Sequence, residues 1–514
     1  MARYEFYSQG KLRSLSVEPI DVTCAHVRAA TVSVATKGPA KRGLAAGGSR
    51  PRQKESGAPK PLKASAGASS RDLKETVAAV HAQNQRLGPL FQSTREQDMG
   101  VVAPKPNEPI ILVTDTVVID GARKSDITWL RDKFGLELLR EGLQGKVLLK
   151  SPTGGNEGRK LVFDAAKAAF ERGHVTAAHP NFVRMLPMVK PSAAANQPLW
   201  NHDNTGNPGL AGSDVAAKAA WIITRGRPEI RVAVIDEGVD SDHPALKAAI
   251  VAEKDFVDAN PHARPDGDDA HGTACAGIVV SRDGTYAGLA PACSLVAVRI
   301  AKGDGKGSWI FDDFDTADAI DWAWDDGKAD VLSNSWGGGP AVDVITLAID
   351  RARTRGRKGK GAVVVFAAGN ADGPVQFPGS LEQVITVGAS NQWDERKSPK
   401  SKDGETGWGS NFGKPLDLIA PGVRIATTDI QGAAGYSPGD FTLTFNGTSA
   451  ATPHVAAAAA LILALMPGLN EGAVSAILNA STDRLTKSGG WDKYVGFGRL
   501  NIFSALRLAR RWAP

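Results

Sequence analysis

The chain contains little cysteine: three residues, Cys24, Cys275 and Cys293, in 514. An odd number spread so thinly excludes a disulfide framework and implies buried, reduced thiols. Aromatic residues are scarce at 6%, but hydrophobic residues total 42%, and a chain of this length can build two or more domains with sizeable cores. No apolar run reaches membrane-spanning length, which excludes a membrane partner on composition. The opening MARYEFYSQGKLRSLSVEP lacks the uninterrupted apolar core of a secretory signal, so a cytoplasmic chain is expected, with other export routes left open.

The net charge of +6 invites a nucleic-acid reading, but its location argues otherwise. Residues 35–71 alone carry nine Lys/Arg and one Glu, so the remainder of the chain is slightly acidic. That stretch is rich in Gly, Pro, Ala and Ser and has almost nothing to bury, as a solvated linker does. It gives no support to a nucleic-acid partner.

Composition divides the rest. Residues 1–34 hold alternating segments that suit short strands, too few for a stable sheet alone. Within 72–107, Leu73, Val77, Val80 and Leu87 fall near helical spacing. Residues 108–186 read as a small α+β sandwich: strand IILVTDTVVID, helix SDITWLRDKF, strand KVLLKS, helix LVFDAAKAAFER and strand HVTAAHP. The intervening SPTGGNEGRK lacks the Gly-Lys-Ser/Thr ending of a phosphate loop and reads as a plain loop. Residues 187–198 are Pro- and Ala-rich, an exposed linker open to cleavage.

From 199 to 514 the pattern changes to short, continuously apolar strands alternating with helices. RVAVID, SLVAVRI, ADVLSNS, AVVVFAAG, QVITVGAS and LDLIAPG require burial on both faces, hence a mostly parallel α/β sheet flanked by helices. Ligands of such sheets gather beyond the carboxyl ends of the strands. Asp236 leaves the first strand there, Asn370 leaves AVVVFAAGN, His271 opens HGTACAGIVV, and Ser449 opens the alanine-rich TSAATPHVAAAAA. Each has an ordinary reading: a turn carboxylate, a turn amide, a packed histidine, and a serine that caps its helix. Together they are what nucleophilic acyl transfer needs, with Ser449 as nucleophile, His271 as base, Asp236 to orient it, and Asn370 with the Ser449 amide as oxyanion donors.

VAVIDEGVDSDHP, HGTACAGI, SNSWGGG, VVFAAGN and NGTSAATPHVAAAAAL occur together, in the order and near the spacings of the subtilisin-like serine proteases, and residues 199–514 resemble that family. The Asp, His, Ser order and the Gly-Thr-Ser motif both depart from the Gly-x-Ser-x-Gly elbow of lipases and esterases. The resemblance implies a serine endopeptidase of broad specificity that needs no cofactor for catalysis. It implies protein or peptide substrates gripped as a strand between Gly305-Lys306-Gly307 and Ser335-Trp336-Gly337, with a pocket lined by the residues around Ala367 to Asn370, Ala368 and Gly369 among them, and by Gln376. Trp336 and Gln376 are bulkier than the family's usual residues, so small or medium side chains are expected there. Residues 108–186 resemble the family's prodomain, which implies self-cleavage between Leu186 and Pro198 and makes the N-terminal unit a partner of its own catalytic domain. The alternatives are a permanently attached regulatory unit on a latent, partner-activated protease, or an inactive peptide-binding homologue. Cys275, one helical turn after His271, reads as a small buried hydrophobe. Asp266, Asp268 and Asp269 could ligate a structural calcium or form a solvated acidic loop.

Overall fold

The computed structural model describes residues 2–19, 100–102, 109–189, 197–258, 260–304, 307–486 and 490–512. The basic stretch 35–71, the helix expected within 72–107 and Cys24 lie outside them. The N-terminal alternation forms strands β1 (Ala2–Ser8) and β2 (Lys11–Pro19), an antiparallel hairpin that turns at Gln9-Gly10. The hairpin gains stability by joining a larger sheet. β3 (Gly100–Val102) links it to β4 (Ile110–Asp120), followed by α1 (Lys124–Phe134), β5 (Glu137–Glu141), β6 (Val147–Lys150), α2 (Gly155–Glu171) and β7 (Ala177–Pro187). Tyr4 stacks on Phe163 of α2 at 4.6 Å, and Phe6 meets Phe182 of β7 edge-on at 5.5 Å. The division expected at residue 34 is therefore no division in space. SPTGGNEGRK is a loop only as far as Gly154; from Gly155 onward it is the start of α2.

The second part begins with α3 (Ala217–Trp221), β8 (Arg231–Asp236), β9 (Ile250–Asp255), α4 (His271–Val280) and β10 (Ser294–Arg299). The hairpin β11 (Lys302–Gly303) and β12 (Ser308–Asp312) precedes α5 (Asp313–Asp325), β13 (Val331–Asn334), α6 (Asp343–Gly359), β14 (Val363–Ala367), β15 (Ile385–Ser390) and β16 (Leu418–Pro421). A second hairpin, β17 (Ile425–Thr428) and β18 (Phe441–Phe445), leads to α7 (Thr448–Leu465), α8 (Glu471–Ala480) and α9 (Ile502–Ala509). Strands β16-β15-β14-β13-β8-β10-β9 form one parallel sheet in that order. Alternation along β8 sends Val232 and Val234 into a core shared with α4 and α7, and Ala233 and Ile235 into a core shared with α5 and α6. The latter core runs on into the N-terminal unit, so α5 and α6 lie between the two sheets.

α7 is the one helix among the described residues that is long and apolar enough to cross a membrane, yet 94% of it is buried inside the protein. Its run Ala456–Ala460 lets the backbone approach the sheet closely. His454, on this helix, is fully buried and fixed as a neutral ring: Nε2 lies 2.9 Å from the Asn201 amide nitrogen, and Nδ1 lies 2.8 Å from the Ala450 carbonyl that it donates to. Burial lowers its pKa to about 4 and that of neighbouring His202 to about 3. Between pH ~6.5 and 4 the unfolded chain binds protons on these rings that the folded chain refuses, so stability falls as the pH falls through that window. For His454 the loss is on the order of 3 kcal/mol. Denaturant unfolding of wild type and His454→Gln at pH 7 and 4.5 checks this; an unchanged pH slope in the variant refutes it.

The N-terminal unit is fastened by buried charge. β7 pairs antiparallel with β12, which makes the nine-stranded sheet continuous with the wall of a cleft at the carboxyl ends of the parallel strands. Arg140 pairs with Asp315, Lys146 with Asp318 at 3.0 Å and Asp321 at 2.5 Å, and Arg184 with Asp313 at 2.6 Å, all on α5. From α6, Arg351 reaches Asp120 of β4 at 3.1 Å. The unit also lies flush on Gly338 and Gly339: a Cβ on the first would sit 2.2 Å from Pro109, and on the second 2.5 Å from Ile111. That close approach is why Gly338 and Gly339 of SWGGGP leave no room for a side chain.

Candidate active site

Asp236 emerges fully buried at the carboxyl end of β8, and its Oδ1 lies 3.0 Å from Nδ1 of His271, the first residue of α4. The His271 ring stands edge-on to Trp309 at 4.3 Å and to Phe445 at 5.2 Å, which limits its rotation. Ser449 is in the first turn of α7, where the amide ends give the site a partial positive charge. It is not that helix's cap: Gly447 holds the cap position, and Asn370 supplies the missing acceptor from the end of β14. Asn370 Oδ1 accepts the Thr448 N–H at 2.9 Å and the Thr448 hydroxyl at 3.0 Å. This fixes the amide beside Gly447: a Cβ on that glycine would lie 3.5 Å from Asn370 Nδ2 and 3.5 Å from Ser449 Cβ.

Pro453 has no N–H for the Ser449 carbonyl, and the structure shows what replaces it. The Ser335 hydroxyl donates to that carbonyl at 2.9 Å and the Cys275 thiol at 3.6 Å. The Ser449 hydroxyl in turn donates to the Ser335 carbonyl at 3.2 Å. Cys275 is fully buried, and burial followed by the Asp236 charge pushes its thiol well above the usual range. Its sulfur, a carboxylate oxygen of Asp236 and a His271 nitrogen lie within 4.8 Å of one another. A metal there would need the thiolate that this environment opposes.

The cleft measures about 470 Å³ and is lined by His271, Ser449, Asn370, Ser335, Trp336, Gly337, Ala367, Gly369 and Gln376. Ala368 does not face it: strand alternation turns its side chain into a small core with Val375, Leu416 and Ile419, and Ala367 takes the lining position. Trp336 lines the cleft with its indole held between Phe311 at 5.6 Å and Phe366 at 5.0 Å. Gln376 lines it as well. Gly369 has φ of +103°, and a Cβ there would lie 2.7 Å from Gln376 Oε1, so the glutamine lies across the turn. Gly305 and Lys306 lie outside the described residues, whereas the Gly307 carbonyl accepts the Met188 N–H at 2.9 Å. Pro187, Met188 and Val189 themselves line the cleft.

Trp408 and Glu405 line the far side of the cleft and were not singled out in the sequence. Glu405 accepts from Trp408 Nε1 at 3.0 Å, Asn446 at 3.1 Å and Arg424 at 3.1 Å. Two oxygens of the Asp266, Asp268 and Asp269 cluster, where calcium was one of the two expectations, are already engaged. Asp269 Oδ1 accepts the Gly303 N–H at 2.9 Å, and the Lys302 ammonium sits 2.5 Å from Asp266, where a cation's charge would be.

Asn370→Ala removes the acceptor that holds Thr448 and, on the expected acyl-transfer role, an oxyanion donor. Its expected cost is a 10²- to 10³-fold loss in kcat, about 3–4 kcal/mol. Steady-state kinetics on a peptide substrate measures it, and an unchanged kcat would remove Asn370 from the site.

The family model described as "Subtilase family" matches residues 227–498. A calcium-dependent protease of a Nostoc species is 31% identical over 457 residues, 80% of this chain; the alignment takes in 65% of that relative's length, so the chain spans just under two thirds of it. Thermitase of Thermoactinomyces vulgaris is 32% identical over 57% of this chain and 94% of its own. Among solved structures, fervidolysin from Fervidobacterium pennivorans superposes with a TM-score of 0.60 over 76% of this chain and 60% of its own, at 23% identity, a likeness of fold.

Proposed function

Because the chain belongs to the subtilase family, we propose that it is a serine endopeptidase that hydrolyses peptide bonds through an acyl-enzyme on Ser449. The observation that carries the reading is the Asp236–His271 contact of 3.0 Å, set beside a serine in the first turn of α7 and an amide donor clamped by Thr448. His271, through Nε2, takes the Ser449 proton as Oγ attacks the scissile carbonyl, and Asp236 holds the tautomer that leaves Nε2 free to do so. The Asn370 amide and the Ser449 N–H receive the oxyanion; His271 then protonates the leaving amine, and water repeats the sequence to release the acid. No step passes through a metal.

Substrate enters as an extended strand, with selection at the Gln376 pocket favouring small or medium side chains. Self-processing within 187–198 is part of the proposal, supported by Leu186 to Val189 lining the cleft beside Ser449. The buried ion pairs on α5 favour a second reading, in which the severed or intact N-terminal unit stays docked and keeps the enzyme latent. A fluorophosphonate probe tests the chemistry: it should label wild type and not Ser449→Ala, and a wild type that takes no label would leave a peptide-binding homologue. A peptide-library profile led by Phe or Tyr would refute the pocket assignment.

A further inference from the structure

Glu237 takes no part in the mechanism above, yet it is fully buried beside it. Its N–H donates to Asp236 Oδ1 at 2.9 Å, and its Oε1 accepts the N–H of His271 at 2.6 Å. One residue thus holds both members of the Asp–His pair. The need for it is local: α4 starts at His271 with Ala270 in the cap position, and alanine has no oxygen to offer the first amides of the helix.

The state of this carboxyl group follows from its surroundings. Burial first, then the charges of Asp269 and Asp236, pushes it well above the ordinary carboxylate range. Glu237 Oε2 and Asp269 Oδ2 are both buried without a hydrogen-bond partner, and burial lifts Asp269 to about 7. A neutral carboxyl at Glu237 still offers Oε1 to the His271 amide and spares the site a second buried negative charge. Asp269 meanwhile ties the same corner to the cleft's edge strand through the Gly303 N–H.

We propose that Glu237 is a positioning residue of the triad, which ties the end of β8 to the first amide of α4 and so fixes the His271 ring against Asp236. The inference rests on the peptidase reading, but its geometry can be tested without turnover. With active sites counted by titration, Glu237→Ala should lower kcat on the order of tenfold to a hundredfold, the scale of a misplaced catalytic group. KM should hold, and Glu237→Gln, which keeps the acceptor and the neutral state, should recover kcat to within about threefold. Should Glu237→Ala fail to fold, Glu237→Asp, too short to reach the His271 amide, takes its place with the same expectation.

In the Ser449→Ala background, the low-field proton resonance of the His271–Asp236 hydrogen bond should be lost in Glu237→Ala and kept in Glu237→Gln. That resonance stands even where wild type hydrolyses nothing, a result that would defeat the proposed function alone. A merely structural cap lowers the melting temperature and the titrated fraction while leaving kcat per site and the resonance untouched, which overturns the proposal. Equal loss of kcat in the alanine and glutamine variants overturns it as well.

Discussion

Ser449→Ala is expected to lower kcat on the order of 10⁶-fold and to leave the chain uncut, whereas wild type should lose an N-terminal fragment ending within residues 187–198. The size follows from what alanine lacks. With no hydroxyl there is no acyl-enzyme, His271 has no proton to take, and only transition-state binding by the Asn370 and backbone donors survives. The packing cost is small, since one oxygen is removed and its acceptor, the Ser335 carbonyl, is the one group left to rehydrate. Intact-mass analysis of the two purified proteins, beside turnover of a peptide substrate, reads both effects. Two full-length masses would retire self-processing and turn attention to whether the uncut enzyme is active or waits for a partner. Turnover by the alanine variant at the wild-type rate would retire the triad.

Arg184→Ala, made in the uncut Ser449→Ala background, is expected to cost about 3–5 kcal/mol of stability. Arg184 is 1% exposed and spends its guanidinium across the boundary: Nε to Asp313 at 2.6 Å, Nη2 to the Pro340 carbonyl at 3.0 Å, and Nη1 to the Gly338 carbonyl. Asp313 is itself fully buried, with its second oxygen unpartnered. Truncating the arginine strands that carboxylate in a medium that cannot hydrate it, which is the larger part of the loss. The double variant Arg184→Met, Asp313→Asn removes both charges together and should recover much of the stability. Denaturant unfolding measures each; a loss below about 1 kcal/mol in Arg184→Ala would mean water reaches the pair.

The parallel sheet was legible because its strands are buried on both faces and so appear as unbroken apolar runs. β5 and β9 were not legible: both are outer strands whose residues are largely exposed or half-buried, and ELLRE and IVAEKD carry no alternation to read. Ser449, His271, Asp236 and Asn370 stood out through local motifs at strand and helix ends. The cap of α7 did not, because its acceptor is Asn370, 78 residues earlier, and local spacing suggested the serine instead. Ala368 was placed in the pocket from sequence, but which way a side chain turns at the end of a buried strand depends on the register of that strand. Glu237 and Arg184 were invisible for a related reason. Each is recognised only by a partner brought close by folding, 34 residues away for Glu237 and 129 for Arg184.

Strand β12 has two neighbours, β11 from its own hairpin and β7 from the N-terminal unit. Were β7 to leave, Ser308 to Asp312 would present a bare edge of N–H and C=O groups to solvent. Such an edge recruits any extended chain. A matured form of this protein would therefore carry an adhesive rim next to its cleft, and its solubility would depend on concentration until a substrate, the severed unit or a second molecule covered that rim.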